Sequence, residues 1–321
     1  MINFPFAMFQ GQVDIVYTEV PAIPTKLYGG SYGASGGVYT SSNNGTTWSP
    51  TLYITGLGNL YVQWLAAQPN TFLWAGTDGG VYRTSLTGSK LSWVSTTSGI
   101  TSGIRSIHYF PTITYAKLWV GTDGGIFSSS NNGVTWGAAS VGLGTGAGNG
   151  LKNTYHIVQY GESWLFAATL NGIYRTSLTG SAVWVQLTGG GYYFLGGVDA
   201  GSYIYMGGNN GIYRSNDSGS TWSISNTTNG LPNIYSMKMA VTGSTVITTT
   251  NGGGMATSSV GVATWVAVNT GLPASAAPGF VKTHFPYVWC GVGSTFYTTT
   301  IDSFKWTGSL QSNVVGYFVE A

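Results

Sequence analysis

SSNNGTTW at residues 41–48, SSNNGVTW at 129–136 and SNDSGSTW at 215–222 are three copies of one octapeptide. Degraded copies fill the intervals: TSLTGSKLSW at 84–93, TSLTGSAVW at 176–184, SSVGVATW at 258–265 and TTIDSFKW at 299–306. Each ends on a tryptophan, and Trp48, Trp93, Trp136, Trp184, Trp222, Trp265 and Trp306 are separated by 45, 43, 48, 38, 43 and 41 residues. A period in this range marks stacked units, none of which buries its apolar face alone. The chain therefore reads as one repeat architecture. In each copy the Asn or Asp side chain bonds backbone two residues on, and Gly45, Gly133 or Gly219 accepts positive φ.

Working outward, each octapeptide follows a shared run, as in LWAGTDGGVYRTS (73–85), LWVGTDGGIFSSS (118–130) and IYMGGNNGIYRSN (204–216). An aromatic and a small residue two positions apart share one face of a strand. The DGG, NG and NNG turns then give hairpins to a strand bearing a repeated Tyr or Phe. A fourth run precedes the aromatic strand in LYVQWLAAQ, IRSIHYF, TYHIVQY, YYFLGGVDA, IYSMKMAV and FVKTHF. Four short strands per period make a propeller blade. The expectation is an all-β, seven-bladed β-propeller with four-stranded antiparallel blades, whose first strands line a central channel.

The octapeptides resemble the Asp-box, or BNR, repeat S-x-D-x-G-x-T-W, which forms the hairpin between third and fourth strands in sialidase-like, sortilin-like and photosystem II assembly factor-like propellers. On that resemblance Asn43, Gly45 and Trp48, Asn131, Gly133 and Trp136, and Asp217, Gly219 and Trp222 are structural turn residues. Only Asp217 keeps the aspartate, and Leu86, Leu178, Val260 and Ile301 abandon the position. The resemblance implies a fold and leaves function open, because one turn geometry serves enzymes and binding proteins alike.

Residues 1–12 read as an N-terminal extension and 13–321 as a single propeller, with a closing or surplus strand in 313–321. Both VDIVYTEV (13–20) and VVGYFVEA (314–321) have the pattern of a first strand, and only one is needed. The extension supplies Phe4, Phe6, Met8 and Phe9, which suit an assembly arm adding to a neighbour's unpaired edge, with Pro5 confining it to an edge position.

Charged residues make up 6% of the chain, against a usual share of about a quarter, and the net charge is +2. A surface of Ser, Thr, Asn, Gly and Tyr with so little charge favours association, with copies of itself or other structural proteins as partners. No basic patch points to nucleic acid, and no apolar run is long enough for membrane insertion. There is no recognisable signal peptide, and an extracellular or virion-associated location is the expectation. The single Cys290 reads as a small buried hydrophobe.

Catalytic patterns are sparse. The sialidase chemistry of the resembled fold needs an arginine cluster, yet Arg83, Arg175 and Arg214 occupy one repeat position and only Arg105 departs from it. Asp78 and Asp123 lie in TDGG turns of neighbouring blades and are the candidate acids of a glycoside hydrolase, which needs two carboxyl groups about 5 to 10 Å apart. Asp is also ordinary turn chemistry there. Glu162 and Asp199 have no partner legible in the sequence, and His108, His156 and His284 fall on first strands without metal-ligand spacing, so no metal and no cofactor is expected. Trp64, Trp164, Tyr192 and Tyr193 are aromatics with stacking potential for a glycan. The leading expectation is a non-enzymatic subunit of an extracellular assembly, such as a virion surface component or a filament. The alternative is a glycan-binding or glycan-hydrolysing propeller.

Overall fold

A computed structural model of the chain describes residues 26–31, 37–43, 46–49, 55–87, 91–100, 102–113, 117–144, 152–179, 182–188, 191–284, 286–292, 295–310 and 318–320. In chain order, β1 (Leu27–Ser31) and β2 (Gly37–Ser41) open the fold. A first four-stranded sheet holds β3 (Val62–Gln68), β4 (Phe72–Thr77), β5 (Gly80–Ser85) and β6 (Val94–Ser95). The next holds β7 (Ile104–Tyr109), β8 (Leu118–Thr122), β9 (Gly125–Ser129) and β10 (Gly137–Ala138). It is followed by β11 (Thr154–Tyr160), β12 (Trp164–Thr169), β13 (Gly172–Ser177) and β14 (Val185–Gln186). Then come β15 (Phe194–Asp199), β16 (Ile204–Gly208), β17 (Gly211–Ser215) and β18 (Ser223–Ser225). A fifth sheet contains β19 (Ser236–Thr242), β20 (Thr245–Thr250), β21 (Gly254–Ser259) and β22 (Val266–Ala267). The sixth contains β23 (Phe280–His284), β24 (Tyr287–Val292), β25 (Thr295–Thr300) and β26 (Thr307–Leu310), and β27 (Phe318–Glu320) ends the chain.

Six four-stranded antiparallel blades are thus present among the described residues, where seven were expected. The remaining sheet has three strands in the order β2-β1-β27. Its C-terminal strand pairs with β1 through Leu27↔Glu320, Tyr28↔Val319 and Gly29↔Phe318. The C-terminal segment therefore takes the inner position beside β1. The VDIVYTEV segment and the Met1–Gly11 arm lie outside the described residues.

Apolar residues of adjacent sheets interlock all the way round. Leu73, Ala75 and Trp93 pack with Tyr28 and Val38 of the three-stranded sheet. On its other side Leu27, Tyr39 and Trp48 pack with Phe280 and Trp289 of the last blade. Similar clusters join every neighbouring pair between them. The alternation read in the sequence explains this. The second strand of a blade is buried on both faces, with Trp74, Trp119, Phe166, Tyr205 and Trp289 fully enclosed, and the small residue two positions on lets the neighbouring sheet approach. A Cβ on Gly76 would lie 2.6 Å from a methyl of Ile104 in the next blade.

The repeated tryptophan is a staple between blades. Trp136 donates its indole N–H to Thr96 O at 2.7 Å and its backbone N–H to Ser98 O at 3.2 Å. Trp184 and Trp306 donate their indoles likewise to Ala139 O and Val268 O, each at 2.7 Å. The tryptophan carbonyl in turn rests on a glycine of the preceding blade: Gly99 has φ +91°, and a Cβ there would sit 2.3 Å from Trp136 O. Gly56, Gly142, Gly230 and Gly271 meet Trp93, Trp184, Trp265 and Trp306 in the same way.

Candidate functional site

The octapeptide turns are built from their own side chains. Asn131 Oδ1 accepts from the Ser129 hydroxyl at 2.9 Å and from Thr135 N at 3.0 Å, and Ser129 Oγ accepts from Gly133 N at 3.0 Å. Asn43 makes the same bonds with Ser41 and Thr47, and Asp217 makes them with Ser215 and Thr221. The Thr221 hydroxyl and N–H and the Ser215 hydroxyl hold the Asp217 carboxyl down to about 2. Gly133 and Gly219 have positive φ with aromatic atoms close by, whereas Gly45 lies outside the described residues. Trp48, Trp136 and Trp222 pack against neighbouring strands. The described positions among these nine take part in turn hydrogen bonds or packing between blades.

The three repeat-position arginines are also scaffold. Arg83 donates to Asn132 O at 2.9 Å, and Arg175 and Arg214 donate to Ser218 O and Gly261 O, each on the next blade's turn. Each guanidinium also covers a ring: Phe72 at 4.6 Å, Trp164 at 3.9 Å and Tyr203 at 5.6 Å. This gives Trp164 a packing role. Cys290 is fully buried among Val281, Val288 and Trp306, and burial pushes its thiol up.

Two places on the channel remain. Five first strands carry a register shift: between Val62 and Trp64, Ile104 and Ser106, Thr154 and His156, Phe194 and Gly196, and Ser236 and Met239. A β-bulge leaves one residue unpaired and re-aims it. At the end of the channel that bears the turns between second and third strands, the skipped Gln63 and Arg105 reach the candidate acids. Gln63 Nε2 donates to Asp78 Oδ1 at 2.7 Å. Arg105 clasps Asp123 through both oxygens, Nε at 2.7 Å and Nη2 at 2.9 Å, and this bond raises the guanidinium pKa. Asp78 and Asp123 are thereby brought to the same mouth, each held by a neighbouring side chain. The Arg105 guanidinium lies 5.8 Å from the Tyr155 ring. Tyr193 and Tyr235 pair at 6.4 Å, and Tyr192 lies against Tyr213.

Deeper in, four first strands send side chains to the axis. Trp64, His108 and His156 touch one another, with ring centroids 5.0 Å (Trp64–His108), 5.1 Å (Trp64–His156) and 4.6 Å (His108–His156) apart. Lys238 reaches from β19 to place Nζ 4.7 Å from the Trp64 ring while donating to Leu195 O at 2.9 Å. Burial, with the Lys238 and Lys282 charges, lowers His108 to about 3, and burial with His108 and Lys238 lowers His156 well below its ordinary value. Desolvation lowers Lys238 to about 7. Both imidazoles are therefore neutral at physiological pH, and the ammonium is poised. Below this layer a cavity of about 770 Å³ opens, lined by the later halves of the first strands and their turns, including Asp199, Lys282 and Thr283. Asp199 accepts backbone N–H bonds from Gly161 and Gly201, and burial raises its pKa. His284 is not in that lining. No cluster of three or more His, Cys, Asp or Glu side chains suited to a metal occurs among the described residues.

The sequence pointed to Trp64, His108 and His156 singly but not to their meeting, and it passed over Lys238 and Gln63. The one signal for Lys238 was a lone lysine in the apolar run IYSMKMAV.

Comparison with known proteins places the fold. No family model and no curated protein matches the chain. Among solved structures, the computationally designed Ika8 protein aligns with TM-score 0.64 and 13% identity, over 89% of this chain and 85% of that one. An ancestral GH74 enzyme aligns with TM-score 0.58 and 18% identity, over 81% of this chain and 38% of the enzyme. The extracellular domain of the B. thetaiotaomicron protein BT4673 aligns with TM-score 0.58 and 14% identity, over 90% of this chain and 40% of that one. The chain is thus an all-β propeller, and the likeness reaches no further than the fold. No helix among the described residues is long and apolar enough to cross a membrane.

Proposed function

We propose that the protein is a non-enzymatic building block of an extracellular or virion-associated assembly, a propeller that packs against copies of itself through its circumference. The observation that carries this reading is the outer rim. Four of the six described outermost strands are two or three residues long and carry an exposed branched aliphatic, Val94, Val185, Ile224 and Val266 being 45–65% exposed, whereas β10 is Gly137–Ala138 and β26 is the longer Thr307–Leu310. An unpaired strand edge with apolar side chains is what a monomer normally blunts with lysine or other charges. Here charged residues are 6% of the whole chain, so neighbouring copies meet little repulsion. The rest of the reading follows from the same pattern. The octapeptides are Asp-box-like turns, the three-stranded sheet is the seventh blade of the ring, and Phe4, Phe6, Met8 and Phe9 form an arm that binds a neighbour. Electron microscopy of the purified protein tests it. Ordered polymers are the expected outcome, and dispersed single propellers at all concentrations would contradict it.

A second reading, glycan binding or cleavage at the Asp78 and Asp123 mouth, draws on the paired acid and amide groups beside Tyr155, Tyr193 and Tyr235. Against cleavage, the Arg105 fork occupies both oxygens of Asp123. Sialosides and β-glucans are expected to remain uncleaved by the purified protein. Turnover that Asp78→Asn or Asp123→Asn abolishes, with folding intact, would favour this second reading.

A further inference from the structure

The cavity below the Trp64, His108, His156 and Lys238 layer has the features of a small-molecule site. Its volume of about 770 Å³ falls in the range of ligand pockets, which are mostly apolar with a few placed polar groups. Leu65, Ile107, Ile157, Ala240 and Val281 border it with side chains buried in the cores between blades, so the face turned to the cavity mixes rings and polar groups. Its aromatic wall is His108 stacked on Phe110, with centroids 5.7 Å apart and planes 2° from parallel, and Trp64 lies beside it. Charge in the lining is unequal, with Lys238 and Lys282 against Asp199 alone. Asp199 is engaged by two backbone N–H bonds, from Gly161 and Gly201, and the two lysines outnumber its one carboxylate.

We propose that this cup binds a small organic anion, a carboxylate carried on a planar ring, with the Lys238 and Lys282 ammonium groups facing the carboxylate and the Trp64, His108 and Phe110 rings facing the ligand's ring. The lysines stand on β19 and β23, while Trp64 and His108 stand on β3 and β7. Lys238 Nζ nonetheless lies 4.7 Å from the Trp64 ring, so the charge and the aromatic face meet at one place where a ligand's carboxylate and ring would lie side by side. This site is separate from the rim and from the Asp78 and Asp123 mouth, so it stands whether or not the protein assembles. Binding is proton-linked. The titratable groups around Lys238 are His108 on β7, His156 on β11 and Lys282 on β23, with Asp199 on β15 in the same lining. Both imidazoles stay neutral, so the Lys238 charge governs the response. A carboxylate beside it favours the ammonium form, and affinity falls as pH rises above about 7.

The test is calorimetric titration of the full chain with benzoate, benzamide and inorganic phosphate, at pH about 6 and about 9. Benzoate is expected to bind saturably at the lower pH, about tenfold or more tighter than either benzamide or phosphate, and more weakly at the higher pH. Lys238→Met, nearly isosteric, and Trp64→Leu should each weaken benzoate by about tenfold, with the exposed Lys282→Gln giving a smaller loss. Near-ultraviolet circular dichroism on each variant reports folding, and Lys282→Gln keeps the test informative should a buried substitution disturb it. Absence of saturable benzoate binding, equal binding of benzamide or phosphate, or full retention in folded Lys238→Met and Lys282→Gln would overturn the proposal.

Discussion

At the scale of single residues, the staple between blades makes the sharpest demands. Gly99 sits at φ +91° against the carbonyl of Trp136, so Gly99→Ala adds both a left-handed backbone penalty and a clash with backbone that has nowhere to go. A loss of about 1 to 3 kcal/mol or more is expected, read as a lower urea midpoint. Trp136→Ala removes a buried ring and leaves Thr96 O without its indole donor, and about 3 to 5 kcal/mol is expected there. The channel residues give a pH signature. Lys238 falls from 10.5 in the unfolded chain to about 7 in the fold. Between those values the unfolded chain binds a proton that the folded protein refuses, so stability declines as pH drops from 10.5 toward 7 and is level below. Lys238→Met should abolish that slope, which is at most about 1.4 kcal/mol per pH unit, and should be more stable than the native protein at neutral pH. His108 adds an acid limb, because its pKa goes from 6.5 to about 3 and stability is lost as pH falls through that window. His156, lowered likewise, contributes to the same limb, so His108→Gln should shallow it in urea unfolding curves without removing it. The tryptophan staples were legible because they repeat. Lys238 was not, since a bulge sets which way a residue on that strand points, and a bulge leaves no mark in the sequence.

At the scale of elements, the strand pattern and the hairpins were readable from alternation and turn residues. The register was not. Periodicity of two assigns faces only along an unbroken ladder, and five first strands are broken at the positions that bring Gln63 to Asp78 and Arg105 to Asp123. The same strands show why two acids that read as turn residues are both turn residues and neighbours at one mouth. Closure was the other open point. Two segments had the pattern of an inner strand, and pairing of Phe318–Glu320 with Leu27–Gly29 gives the position beside β1 to the C-terminal one. Removing residues 314–321 should therefore leave β1 paired only with β2, lower the urea midpoint and expose to hydrogen exchange the amides of Leu27–Gly29 that face β27. An unchanged midpoint and unchanged protection would show that another segment holds the ring shut.

At the scale of the whole molecule, the interlocked sheets form a ring whose core is shared between neighbours rather than enclosed in any one blade. Composition pointed to a surface of Ser, Thr, Asn, Gly and Tyr, and the exposed aliphatics of the rim were not part of that expectation. It could not foretell that valine and isoleucine would recur on the outermost strands, since a two-residue strand is too short to show alternation. The account rests on that rim acting as a contact surface between copies. Sedimentation velocity over a wide concentration range, on the native protein and on a variant carrying Val94→Lys, Val185→Lys, Ile224→Lys and Val266→Lys, tests it most directly. The native protein should sediment as growing assemblies and the variant, with the same circular dichroism, as a single propeller. A native protein that stays monomeric throughout, or a folded variant that assembles as well as the native one, would contradict the account.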